Sequence, residues 1–101
     1  MNFDDVLPSF IAEATELLRE MEAGLLECTR GEASDETINL IFRTAHTIKG
    51  SAGLFSQGAA YESAKRLEHL AKSGDLTKVD AACADVEADV SQLMAELRHL
   101  R

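Results

Sequence analysis

Apolar residues recur with the 3.6-residue period of an amphipathic helix in four separate stretches of this chain, and that repetition limits the fold more than any other feature. The first stretch runs from about Asp5 to Arg30, with Val6, Phe10, Leu17, Met21 and Leu25 on one stripe and Ile11, Ala14, Leu18 and Leu26 widening it. Pro8 would break a helix interior but is tolerated in a first turn, so a start near Asp4 or Asp5 accommodates it, and Gly31 is a suitable stop. Ser34 is then a candidate N-cap, with Asp35 and Glu36 opposing the dipole of a second helix that runs to about Gly53. Its apolar arc holds Ile38, Ile41, Phe42, Ala45, Ile48 and Ala52.

A turn at "FSQG" leads to a third helix, from about Gln57 to Ser73, with Ala60, Ala64, Leu67, Leu70 and Ala71 on its arc. Lys72 in the last turn and Gly74 just beyond it form a helix stop. Thr77 and Asp80 have the spacing of a capping box and introduce a fourth helix, whose stripe is Val79, Cys83, Val86, Val90, Leu93, Leu97 and Leu100. Short connections between amphipathic helices favour antiparallel neighbours. The expectation is therefore an all-α, antiparallel up-down-up-down four-helix bundle, with residues 1–101 forming one domain.

The charge balance narrows the function. A net charge of −8 and a pI near 4.7 argue against nucleic acid or an anionic membrane as the main partner, since both need a basic surface. No apolar run approaches the roughly 20 residues that span a bilayer, and the acidic "MNFDDVL" is unlike a signal peptide, so a cytoplasmic location is expected. Cys28 and Cys83 have no metal-ligand spacing and fall where a helix buries a small apolar side chain, which reads as structural thiol.

The chemistry-bearing stretch is "TAHTIKGSAGLF", residues 44–55. Taking Ile38 as the origin and about 100° per residue, His46 falls near 80°, Gly53 near 60° and Gly50 near 120°, so both glycines lie on the histidine's own strip. Each glycine costs about 1 kcal/mol relative to Ala in a helix, so the pair needs a compensation. Either a neighbouring helix packs closely against the gap, or the gap opens a path to the imidazole; spacing alone leaves both open. Lys49, three residues on, would repel a cationic imidazole but would offset the charge of a phosphorylated one. His69 and His99 stand alone, and no zinc-binding helix, nucleophile elbow or phosphate-cradling glycine loop is present. Metal and cofactor sites are accordingly not expected.

"AHTIKGSAG" resembles the His-x-x-Lys-Gly signature of histidine-containing phosphotransfer (Hpt) domains. The stretches "FIAEATELLREMEAGLLE" and "INLIFRTAHTIKGSAGLF" are especially similar to the Hpt domains at the N-terminus of chemotaxis kinases, and "AKRLEHLAKSGDL" resembles those of phosphorelay proteins. The resemblance covers nearly the whole chain. It implies a four-helix bundle in which His46 is phosphorylated, Lys49 is the adjacent cation, Gly50 is the opening beside the ring and Glu68 bonds the imidazole from the next helix. The helical arcs already put Glu68 and His46 on edges that can meet.

If Glu68 accepts a bond from Nδ1–H, Nε2 keeps the free lone pair and is the nucleophile. The implied partners are a histidine kinase catalytic domain and a response-regulator receiver domain. Magnesium is expected in the partner, and the isolated domain is expected to be a monomer. Thr47, Gly50, Gly53 and Leu54 are the candidate docking residues, with Phe55 assigned to the core. Such a domain carries phosphate without an ATP site of its own, and is not an enzyme by itself. The alternative is an adaptor that binds a regulator or kinase through the same face without phosphotransfer. Two positions depart from the family pattern: Ser56 replaces a turn glycine, and Lys65 stands where many chemotaxis kinases have a second histidine.

Overall fold

In the computed structural model, which describes residues 3–99 (side chains from residue 5 onward), four helices follow one another: α1 Phe3–Thr29, α2 Asp35–Gly53, α3 Ala59–Ser73 and α4 Val79–His99. Each helix packs on its neighbours in chain order, and α1 closes the ring against α4. With connections of only a few residues the neighbours are antiparallel, giving an up-down-up-down bundle of 43 × 20 × 19 Å.

The helix boundaries have local causes. Ser34 caps α2: its Oγ accepts from Thr37 N–H at 3.3 Å, while Thr37 Oγ1 accepts from Ser34 N–H at 3.0 Å. Thr37 Oγ1 also donates to Glu27 at 2.5 Å, tying the start of α2 to the end of α1. Gly31 and Gly74 take left-handed φ values of 72° and 75°, which a side chain resists, and they end α1 and α3.

Three boundary details differ from the sequence reading. α1 begins at Phe3, so Pro8 falls in its second turn, where its missing N–H removes one bond of the helical ladder. α3 starts at Ala59 with Gly58 at its N-cap, not at Gln57. Thr77 does not cap α4 through Asp80; instead Asp75 Oδ1 accepts from Thr77 N–H at 3.0 Å, starting a 3₁₀ turn over Leu76–Lys78 that runs directly into α4. The nearer carboxylate captures the threonine, which holds Asp75 below the usual aspartate range.

The core is one continuous cluster in which Leu7, Met21, Ile41, Leu67, Val86 and Val90 are among the fully enclosed side chains. Burying such a side chain contributes on the order of 1.5–3 kcal/mol, so these positions dominate the stability. Leu26 was expected on the α1 stripe but is 49% exposed, because it lies about 140° around the helix from Met21. Gly24 is buried in its place on the α2-facing side. A Cβ there would come within 2.9 Å of Ile41 Cγ1, so glycine is what lets α1 and α2 approach.

Phe55 packs its ring on Phe10, with centroids 4.8 Å apart and planes 56° to each other, and so belongs to the core as expected. Cys83 is buried and Cys28 half-buried, both as free thiols, and burial pushes the Cys83 thiol up to about 12. Leu100, the last residue of the expected α4 stripe, lies outside the described residues. No described helix is long and apolar enough to cross a membrane.

Candidate functional site

Midway along α2, the apolar arc turns into the solvent face, and His46 sits on that edge beside α3. Buried Ala45 on one side and exposed Thr47 on the other mark the transition. One turn earlier, the half-buried Phe42 ring lies nearly parallel to the imidazole, at 10° and a centroid separation of 6.1 Å.

Glu68 arrives from α3, where it follows the buried Leu67 on the edge of that helix's core face. Its two oxygens serve different partners. Oε2 meets Nδ1 of His46, and Oε1 accepts from Lys49 Nζ at 2.7 Å. The Glu68 side chain is only 9% exposed. Burial alone would raise its pKa, but the bonds from Lys49 and His46 outweigh that cost and hold the carboxyl below the usual glutamate range. An ionised carboxylate only accepts hydrogen bonds, so a neutral His46 carries its proton on Nδ1 and its lone pair on Nε2. The ring is 63% exposed, so that lone pair is open to an incoming electrophile.

His46, Lys49 and Glu68 are thus brought together as the sequence suggested, with one difference in arrangement. Lys49 does not stand free beside the imidazole; it is 23% exposed and spends its ammonium on Glu68. In this state it acts on His46 through the carboxylate they share.

The two glycines on the histidine's strip turn out to answer to different causes. A Cβ at Gly50 would meet nothing within 4 Å, so this position leaves open space beside the ring. A Cβ at Gly53 would come within 3.2 Å of Tyr61 Cδ2, so this glycine admits the Tyr61 ring from α3. Gly53 is therefore part of the α2–α3 packing and is half-buried. Among the other docking candidates, Thr47 is exposed with its hydroxyl donating to the Arg43 carbonyl at 2.9 Å, and Leu54 is 82% exposed at the end of α2.

Sequence reasoning missed a groove of about 400 Å³ between α1 and α2, lined by Leu17, Glu20, Leu40, Phe42, Arg43, Thr44, His46 and Thr47. Arg43 is the residue a spacing argument could have found, since it lies three positions before His46 on the outward side. Among the described residues no group of three His, Cys, Asp or Glu side chains is placed to hold a metal ion.

Residues 5–98 match the Hpt domain family. The chain belongs to that family. Hpt domains are the phosphotransfer modules of two-component signalling, phosphocarriers rather than enzymes, and this one is similar to segments of chemotaxis proteins. It is 35% identical over 100 residues to the chemotaxis protein CheA of Rhizobium meliloti, covering 90% of this chain and 13% of that protein. To the chemotaxis protein CheA of Salmonella typhimurium it is 40% identical over 70 residues, 69% of this chain and 10% of that one. The sensor histidine kinase CheAY of Helicobacter pylori is 26% identical over 99 residues, 95% of this chain and 12% of that protein. The Hpt domain described here therefore spans about an eighth or less of the length of these relatives. No solved structure matches it.

Proposed function

We propose that His46 is the phosphoacceptor of this Hpt domain, taking a phosphoryl group from a histidine kinase catalytic domain or a phosphorylated regulator and passing it to an aspartate on a response-regulator receiver domain. One observation carries the reading: the imidazole is held at Nδ1 by Glu68 while the ring remains 63% exposed. A nucleophile that is both oriented and accessible is what a carrier needs, because positioning and electrostatics supply most of the catalysis in phosphoryl transfer.

In the loading step the Nε2 lone pair attacks phosphorus and a P–N bond forms as the donor's P–O bond breaks, its electron pair leaving with the donor oxygen. The ring gains positive character, which the Glu68 carboxylate beside Nδ1–H stabilises. In the unloading step an aspartate oxygen of the receiver attacks phosphorus, and the P–N electron pair returns to Nε2. Lys49 is close enough to turn from Glu68 toward the phosphoryl oxygens, and the absence of a side chain at Gly50 leaves room for the partner's reacting groups. The magnesium ion is assigned to the partner in both steps. As an isolated domain it is a monomer, and its place of work is the cytoplasm.

The test is intact mass after incubation with a histidine kinase and ATP, or with a phosphorylated receiver. An added, acid-labile phosphoryl group that is lost in His46→Gln is the expected result. No mass change with any kinase or receiver of the source genome would sink the carrier reading and leave an adaptor that binds without transfer. Glu68→Ala should slow phosphorylation by about 10–100-fold if it orients and supports the nucleophile. Its specific signature is a changed His46 tautomer, read by ¹⁵N NMR on the folded variant.

A further inference from the structure

Charge is divided unevenly around the bundle. Between residues 3 and 29 the sequence holds seven carboxylates against Arg19 alone, and α4 holds five against Arg98. α2 carries two residues of each sign, whereas α3 sets Lys65, Arg66 and Lys72 against Glu62 and Glu68. A chain of net charge −8 thus confines most of its acidity to the α1–α4 side. The α2–α3 side, which presents His46, is close to neutral.

The α2–α3 seam locates the cations on that side. Tyr61 lies against Gly53, and Glu68 against His46 and Lys49, so Lys65 falls level with Lys49 and Gly50, and Lys72 level with Phe42. At about 100° per residue, Lys65 and Lys72 stand about 60° and 40° from Glu68, on the side away from buried Ala64, Leu67 and Ala71. Arg43 stands about 60° from His46 on the opposite side from Lys49, at the edge of the α1–α2 groove that Glu20 also lines. All three are exposed, and none has a carboxylate partner among the described residues. Arg43 has only an Nε bond to the Asn39 carbonyl at 3.3 Å. By contrast Lys49 is paired with Glu68, and Arg66 lies 3.6 Å from Asp85.

We infer that Arg43, Lys65 and Lys72 form a cationic collar around His46 that docks an acidic protein surface, the aspartate-bearing face of a receiver domain. The assignment of the occupant rests on the carrier reading. An aspartate that receives a phosphoryl group with the help of a divalent cation sits among the carboxylates that hold that cation, so its surroundings are acidic. The collar attracts such a face and the α1–α4 side repels it, which turns the partner toward the imidazole before contact. Exposed charges of this kind act mainly on the association rate and are screened beyond a Debye length of about 8 Å at physiological salt.

The experiment measures binding apart from transfer. The His46→Gln domain, which cannot carry phosphate, is titrated by stopped-flow fluorescence against fluorescently labelled receiver domains encoded in the source genome. It is compared with the same domain bearing Arg43→Gln, Lys65→Gln and Lys72→Gln, and with a control bearing Arg19→Gln and Arg98→Gln. At low salt the triple variant should associate with its best receiver about tenfold more slowly, the control should stay within about twofold, and about 0.5 M salt should erase the difference.

Association rates of the triple variant within twofold of its parent, or no binding by any receiver, would overturn the collar as a receiver-docking surface. Concentration-dependent dimers of the domain alone that the triple variant abolishes would instead give the collar to the acidic side of a second copy. The two readings fail separately: cation-dependent binding without any phosphoryl mass on His46 removes the carrier function and keeps the docking surface. Phosphorylation without cation dependence does the reverse.

Discussion

Lys49 Nζ lies 2.7 Å from Glu68 Oε1, and the pair joins α2 to α3 at the level of the imidazole. The ammonium neutralises a carboxylate that is nearly out of water, and so permits Glu68 to stay ionised against the ring. Lys49→Met should destabilise the bundle by about 1–3 kcal/mol in urea unfolding, because it leaves the nearly buried Glu68 carboxylate with the His46 ring but no ammonium beside it. A variant as stable as the parent would mean the ion pair contributes nothing in solution.

Acid should report on the same carboxylate. The folded-state pKa of Glu68 lies below the ordinary glutamate value of 4.5, so its contribution is complete above that value and is lost as pH falls through the folded pKa. Stability of the parent should therefore decline from about pH 5 downward more steeply than that of Glu68→Gln. Parallel pH profiles in chemical denaturation would refute this assignment.

The glycines of α2 should separate under the same substitution. Gly50→Ala meets open space and should raise stability by up to about 1 kcal/mol from helix propensity. On the carrier reading it should also slow phosphorylation, since the new methyl takes up space left open one turn from His46 for the partner's reacting groups. Gly53→Ala must push the Tyr61 ring, 3.2 Å from the added carbon, and should gain little or lose stability. Thermal melts of the two variants check the stability order.

Close approach of α1 and α2 gives a fourth stability test. Gly24→Ala would place a carbon 2.9 Å from Ile41 Cγ1 and should cost about 1–3 kcal/mol by overpacking. Leu26→Ala, two residues away but 49% exposed, should change stability by about 0.5 kcal/mol or less. Equal effects of the two would contradict the packing described for α1.

Much of this was legible in the residues themselves. The four apolar stripes fix four helices because each needs a neighbour to cover it, and short connections leave the antiparallel bundle as the compact solution. Ser34, Gly31 and Gly74 mark helix ends through chemistry that acts within a few residues. The Asp75 cap was missed because two carboxylates compete for one threonine, and spacing alone does not choose between them. Leu26 was misplaced because a broad stripe on a long helix does not say where its edge lies.

The sequence by itself determined the helices, the bundle and the candidate trio of His46, Lys49 and Glu68, because helical periodicity and motif spacing are local quantities. Only the tertiary structure decided what joins across helices. It put Lys49 on the carboxylate rather than free beside the ring, and made Gly53 a seat for Tyr61 while Gly50 stayed open. Those outcomes depend on the register of α2 against α3, which is set by packing and is written in neither helix alone.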